Sequence, residues 1–521
     1  MAGSAGFFSS AAVLTAAVFL GKILGALYKI PLGNLLGSVG MAHFYAAYNV
    51  FNVLLLLSTA GLPVAISRLT STANTLGQQA QVRRIFRTSL FLLAAIGLIC
   101  GGAMCLFPHA LADALHDPLA AAGIRLLSPS VACICLMSAI RGYTQGLGDM
   151  IPTAVSQIIE SAAKLTVGLT ACVALLKRGA AAETAAAGAI FGVTVGSVLG
   201  LIYLLAALHR HRLPRSADTP LSVPATAATI LRVGLPITLG SAGMSLITLL
   251  DQSLTLYTLQ HKLLYTAEAA VDLYGQYTLS LTLFALPCSF IYPITAALMP
   301  AIASARARRN TAAVRDLTRS ALRLTLLFSL PMGIGLSVLS DPILRVLYPA
   351  APAAAAAAAG HLRVLGIAAI FICLMSVSAG ILQACQREYF PLFSLLCGGI
   401  LKLVSNYLMV SQPQIHIGGA SISTLFCYAL IALMNLLALS RTVGDLRLLR
   451  LWWSPVAASA VMAMAARSLY GLLMPQLPLW LALLCAVFLS AAVYAVLILA
   501  LGGITPGEIT AAFRRPKSAR M

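Results

Sequence analysis

The chain is poor in charge. Of its 521 residues only 9% are Asp, Glu, Lys or Arg, and only 14 are acidic, whereas soluble domains carry about a quarter charged residues. That shortage excludes an ordinary soluble fold. No GxxxxGK[ST] sequence occurs, so the chain has no Walker-type loop with which to hydrolyse a nucleotide. HExxH, GxSxG and CxxC are also missing and the eight histidines are scattered, which removes the usual signatures of zinc and serine hydrolases and of structural zinc modules. Eleven cysteines are present, but most lie in apolar runs, and Cys133 and Cys135 point to different sides of a helix. They read as small apolar residues rather than as disulfide or metal ligands. No basic segment and cleavage site precede the first apolar run, so the first helix is expected to be retained.

What fills the chain is hydrophobic residue, 60% of it, with a mean hydropathy of +0.93. The apolar runs are about twenty residues long, enough for a helix to cross a core of about 30 Å and too long for barrel strands. Polar and turn-rich breaks place spans near 7–28, 42–66, 88–107, 123–144, 152–176, 185–208, 233–257, 275–301, 319–340, 361–384, 390–410, 417–440, 453–471 and 477–501. The expected fold class is an all-α polytopic membrane protein with fourteen transmembrane helices. The alanine run 352–359 could prolong a helix beyond the bilayer. Counted from a cytoplasmic start, the inner connections and tail hold twenty-one Lys and Arg and the outer ones five. By the positive-inside rule both termini are expected in the cytoplasm. The net charge of +20 then reflects topology and anionic inner-leaflet lipid, with no nucleic acid needed as partner.

Residues 125–165 return as 363–403 at a constant offset: Arg125 as Arg363, Ile134–Ser138 as Ile372–Ser376, Gln145 as Gln383, Lys164–Leu165 as Lys402–Leu403. The copies lie six spans apart, hence in the same orientation, which predicts two six-helix lobes related by a pseudo-two-fold axis along the membrane normal, with substrate between them. Expected boundaries are an N-lobe 1–210, a cytoplasmic linker 211–224, a C-lobe 225–441, two further helices in 442–502 and a basic tail 503–521.

Charges retained inside spans are costly and usually face a partner or an aqueous cavity. Lys22 and Lys29 are seven apart on one helical face, and Lys164 and Lys402 sit mid-span in the two repeats. These four lysines are the candidate substrate-binding residues of a central cavity, suited to an anion such as a phosphate. Two of them have an alternative: interfacial snorkelling for Lys29, and for Lys164 an intrahelical pair with Glu160, four residues before it. Gly398 replaces that acid beside Lys402, where Asn406 is available for a hydrogen bond. Asp251 and Glu160 are candidates for ion coupling or charge partnership, Arg68 and Arg141 for a cytoplasmic portal or simple anchors, and Gln145 and Gln383 for polar lobe contacts or caps.

Three segments, GKILGALYKIPL, AAYNVFNVLLLLSTAGLPVAISRL and RGYTQGLGDMIPTAVSQIIESAAKL, together with the six-plus-six-plus-two layout, resemble the stage V sporulation protein B family of polysaccharide-transport proteins. That family shares a superfamily with lipid II flippases, O-antigen flippases and MATE exporters. The resemblance implies alternating-access translocation of an undecaprenyl-pyrophosphate-linked sugar, most plausibly a peptidoglycan precursor, across the bacterial cytoplasmic membrane. It implies that the anion is a pyrophosphate held in a cationic cavity, with a lipid-tail groove from the last two helices and involvement in cell-wall or spore-cortex biogenesis beside the synthesis machinery. Lys22 and Lys29 lie near cavity arginines of the lipid II flippase pattern, whereas the arginines of spans two and eight have no counterpart. No cofactor is expected; membrane potential, protons or sodium remain open as the driving force, and a single chain suffices for the site. The alternatives are a MATE-like cation-coupled exporter and, from another class, a polyprenyl-phosphate-dependent glycosyltransferase.

Overall fold

The structure, a computed structural model, describes residues 2–59, 61–209, 219–387, 389–444, 446 and 448–502. The side chain of Lys22, most of the linker and the basic tail lie outside the described residues. All described secondary structure is helical. Among the described residues eleven helices are long and apolar enough to cross a membrane. With the first limb of helix α1, helix α8 and the α9–α10 pair, the arrangement is consistent with fourteen spans.

The chain divides into two compact units. The first comprises residues up to Leu279 together with Leu403–Ala420. It contains α1 (Ala2–Thr59), α2 (Leu62–Thr75), α3 (Gln79–Leu106), α4 (Pro108–Asp113), α5 (Ala121–Gly146), α6 (Ile151–Lys177), α7 (Ala182–Leu208), α8 (Val223–His261) and most of α9 (Ala267–Phe284). Local chemistry sets several of these starts. Proline stands in the first turn of α2, α6 and α8, where its missing N–H costs no helix bond. Ser222 caps α8 by accepting from the Ala225 N–H. The 58 residues of α1 are two helices joined at Gly37, whose φ of 64° is disfavoured for side chains with a Cβ.

Packing in this unit is close where glycines meet. A Cβ at Gly192 of α7 would lie 2.4 Å from the Gly168 nitrogen of α6, so the two backbones touch. Small-residue contact of this kind replaces the hydrophobic drive that helices lack within lipid.

The second unit comprises Ser280–Lys402 and the chain from Ser421 onward. It holds α10 (Leu286–Ala307), α11 (Thr311–Val338), α12 (Ser340–Leu347), α13 (Pro352–Ala384), most of α14 (Tyr389–Val410) and of α15 (Gly418–Val443), α16 (Leu448–Leu473) and α17 (Leu479–Ala500). The alanine run forms the first turns of α13, as expected of the strongest helix former. The core of the unit joins α10, α11, α13 and α15 through Ile291, Leu326, Leu374, Ile381 and Leu439. All eleven cysteines are free thiols, and Cys288 and Cys373 lie with their sulfurs 3.5 Å apart in this core.

Candidate functional site

The reversal at Gly37 builds the site. Lys29 and Tyr45 are 16 residues apart, about 24 Å along a straight helix. Folded back, the Lys29 Nζ donates to the Tyr45 hydroxyl at 3.0 Å and stands 4.6 Å from the centre of that ring and 5.9 Å from the centre of Tyr48. Lys164 reaches the same aromatic group from α6. Its Nζ is 4.6 Å from the centre of Tyr48, 5.0 Å from that of Tyr28 and 3.4 Å from the Tyr48 hydroxyl. Both ammonium groups thus share Tyr48, and their separation is bounded by the sum of their distances to its centre.

The tyrosines are themselves fixed. Tyr28 is fully buried, and its hydroxyl donates to the Ala189 carbonyl of α7 at 2.9 Å. Gly168 makes room for it: a Cβ there would lie 2.7 Å from the Ala189 oxygen and 3.1 Å from the Tyr28 ring. Phe44 stacks on Tyr48 at 5.6 Å and tilts against Tyr28 at 6.0 Å. Each cation–π contact contributes about 0.5–2 kcal/mol. An anion arriving at these lysines need not displace a carboxylate, because tyrosine faces hold the cations without neutralising them.

The nearest acid in sequence is engaged elsewhere. Glu160 pairs with Arg141 of α5, and the same guanidinium donates twice to the Ser156 hydroxyl, at 3.0 and 2.8 Å. The intrahelical pair that spacing offers between Glu160 and Lys164 is therefore not formed. Among the described residues neither Lys29 nor Lys164 is in a salt bridge. Arg141 and Glu160, to which the sequence assigns separate roles, stand as one ion pair.

Asp251 of α8 is buried and accepts from the Asn406 amide at 2.5 Å. Asn406 donates also to Thr255 at 2.8 Å, and the neighbouring Gln252 accepts from Asn49 of α1 at 2.7 Å. The Asn406 amide therefore serves Asp251, while the Asn406 Oδ1 is buried without a partner. Lys402 is buried on α14. Arg68 is exposed on α2. The two glutamines of the repeat differ: Gln145 is half-buried and donates to Thr153 at 3.1 Å, whereas Gln383 is exposed.

Sequence reasoning missed the tyrosine platform and a second buried pair. Asp117 counts as an outer-loop acid by position, yet it is 1% exposed and takes the His43 Nδ1 at 2.7 and 2.9 Å. The signal available was tyrosine at 28, 45 and 48 in otherwise apolar sequence, since a buried hydroxyl requires a partner.

Comparison with known proteins agrees with this architecture. A family model described as polysaccharide biosynthesis protein matches residues 7–306, more than half of the chain, and one described as MatE matches residues 236–408. Three proteins of Bacillus subtilis are similar along most of their length. An uncharacterized membrane protein, YabM, is 28% identical over 89% of this chain and 85% of its own. Stage V sporulation protein B is 24% identical over 84% of each. Lipid II flippase MurJ is 25% identical over 83% of this chain and 82% of its own. Among solved structures, lipid II flippase MurJ in an inward closed conformation superposes with a TM-score of 0.69 at 14% identity, covering 93% of this chain and 97% of that one. An inward-facing multidrug resistance MATE family transporter of the MOP superfamily gives 0.65 at 16% identity, over 80% and 95%. The fold is the one seen in these lipid II flippase and MATE transporter structures.

Proposed function

The chain belongs to the polysaccharide biosynthesis protein family, and from that premise we propose that it translocates a polyprenyl-pyrophosphate-linked sugar, a peptidoglycan precursor such as lipid II, from the inner to the outer leaflet of a bacterial cytoplasmic membrane. The observation that carries this reading is the pair of ammonium groups on Tyr28, Tyr45 and Tyr48, in no salt bridge among the described residues, while Glu160 and Asp117 are each taken by another residue. In this reading Lys29 and Lys164 receive the pyrophosphate through charge-assisted hydrogen bonds, which are about twice as strong as neutral ones. Lys22 and Lys402 add charge along the path. Both termini are cytoplasmic.

The chemistry of the passage requires no bond to break. The substrate anion must leave bulk solvent, and the two cations offset that desolvation at a point where tyrosine rings already exclude part of the water. With a membrane potential negative inside, outward movement of the anion is favoured by about 2.3 kcal/mol per charge per 100 mV. Asp251 offers a second source of drive, because it is the buried acid of α8 and has an unpartnered amide oxygen beside it.

The MatE match over residues 236–408 favours one other reading, a cation-coupled exporter. Expression in a bacterium depleted of its own lipid II flippase separates the two. Appearance of lipid II on the outer leaflet, lost in Lys29→Gln and Lys164→Gln and partly kept in Lys→Arg variants, is the expected result. Normal translocation by a folded Lys29→Gln/Lys164→Gln chain would remove the proposed site, and drug resistance without flipping would favour export.

A further inference from the structure

Helix α6 turns its polar residues two ways. Ser156 and Glu160 both meet the Arg141 guanidinium of α5. Gln157, Ser161, Lys164 and Gly168 follow at spacings of four, three and four, which places them on another single stripe. That stripe faces α1: a Cβ at Gly21 would stand 3.4 Å from the Ser161 Oγ, the Lys164 Nζ lies over the Tyr28 ring, and Gly168 lies against the same ring. Gly21, Gly25 and Tyr28 are the matching stripe of α1. Between the outer two there is room, because Gly25 is half-buried and yet a Cβ on it would meet nothing within 4 Å. The Gln157 Oε1, one turn before Ser161, is buried and accepts no hydrogen bond. A buried acceptor without a donor is costly. Nor does the fold ask for one here: at the repeat offset the second copy keeps Lys402 but carries Leu395 and Gly399 in place of Gln157 and Ser161.

We propose that Gln157 and Ser161 form a sugar subsite beside Lys164, and that Gln157 selects a sugar carrying an acetamido group. The proposal rests on the translocation reading, which puts the pyrophosphate on Lys164. Seven residues separate Gln157 from Lys164, about 10 Å along the helix toward the end of α6 proposed as cytoplasmic. A diphosphate followed by one sugar ring has that reach, and a substrate loaded from the inner leaflet presents its sugar on that side. The chemistry of the side chain names the group. A primary amide sets an acceptor and donors side by side, the complement of the N–H and C=O of a secondary amide. The Gln157 Oε1 then accepts from the acetamido N–H and its Nε2 donates to the acetamido carbonyl, which gives the orphaned oxygen its donor. Ser161 serves a ring hydroxyl, and the space at Gly25 admits the ring without moving the α1 backbone. A sugar with a hydroxyl in place of the acetamido group makes one bond where this pairing makes two.

The test is equilibrium binding to the full chain in phosphatidylcholine nanodiscs, read by native mass spectrometry with three probes: undecaprenyl pyrophosphate, its N-acetylglucosamine ester and its glucose ester. The two sugar probes differ only at the acetamido group. The N-acetylglucosamine probe should bind about ten-fold more tightly than the glucose probe. Gln157→Leu should abolish that preference, and Gln157→Asn, which withdraws the amide by one methylene, should reduce it part of the way. Lys164→Gln should weaken all three probes and keep the preference. Because the preference compares probes on one sample, partial unfolding of a variant does not alter it. Equal binding of the two sugars by the parent chain, or a preference that survives in Gln157→Leu, would overturn the subsite while leaving the translocation reading in place. Failure of every probe to bind would remove both.

Discussion

The Arg141–Glu160 pair can be measured as a free energy, and the repeat says what the answer should be. Its side chains are 13% and 24% exposed, and Arg141 has Ser156 as its other hydrogen-bond partner. Removing one partner of a buried pair costs about 3–5 kcal/mol; with a quarter of Glu160 in contact with solvent, Arg141→Met and Glu160→Met should each cost about 2–3 kcal/mol. At the repeat offset the second copy carries Ala379 and Gly398 in these positions, so an uncharged solution already exists within the chain. The space is then filled: a Cβ at Gly398 would lie 2.3 Å from the Ile431 side chain. In the first copy Gly200 of α7 fronts Glu160 instead, its hypothetical Cβ 3.2 Å from the Glu160 Cγ. The double variant Arg141→Met/Glu160→Met should therefore cost about 1 kcal/mol, giving a coupling energy of about 3–5 kcal/mol. Equilibrium unfolding in mixed micelles with increasing SDS, followed by circular dichroism, supplies the four free energies. Single costs that add to the double within about 0.5 kcal/mol would show that the two charges do not act on one another. The double variant should also retain translocation; a stable double variant that does not translocate would return Arg141 to the portal role its position suggests.

Tyr48 serves both lysines through its ring more than through its hydroxyl, so Tyr48→Phe should keep most of the translocation rate and Tyr48→Leu should lower it about five- to thirty-fold; equal loss in both would assign the role to the hydroxyl. Gly168→Ala should destabilise the chain by about 1–3 kcal/mol, since the new methyl collides with the Ala189 carbonyl and crowds Tyr28, and unchanged unfolding would contradict the packing described. His116 lies outside the spans with its ring 5.3 Å from Tyr257 and 5.7 Å from His261. Burial first, and the His261 charge second, hold its pKa below the ordinary value of 6.5. The unfolded chain therefore binds this proton more readily, the contribution is complete above pH 6.5, and it is lost as pH falls through the lower folded value. Thermal stability should accordingly fall more steeply toward acid in the parent than in His116→Asn, a residue that tolerates the positive φ of this position; identical slopes would refute the assignment.

Composition and run length were sufficient for the helical membrane fold, because lipid leaves a polypeptide few other ways to satisfy its backbone. The embedded lysines were legible for the same reason: a charge in an apolar run is conspicuous and costly. Their partners were not. Spacing along α6 makes Glu160 and Lys164 neighbours, but it cannot show that Arg141 of α5 stands closer with a guanidinium and that Ser156 supports it. The turn that assembles the site was hidden among Gly33, Gly37 and Gly40, of which only Gly37 takes a positive φ. Nor did tyrosine announce itself, since tyrosine at the end of a span is ordinary at a membrane interface.

The two copies separate what duplication kept from what each half added. Lys164 and Lys402 occupy equivalent positions, and so do Ser156 and Ser394. Ser156 accepts from Arg141, whereas Ser394 donates to Asn435 at 2.7 Å. Glu160 and Arg141 belong to the first copy alone, so neither is required for a lysine to stand mid-span in this fold. The pair instead removes the carboxylate that would neutralise Lys164 from four residues away. An isolated Glu160 would have to choose between water and that ammonium group, and Arg141 settles the choice, leaving Lys164 to the tyrosines with its charge intact.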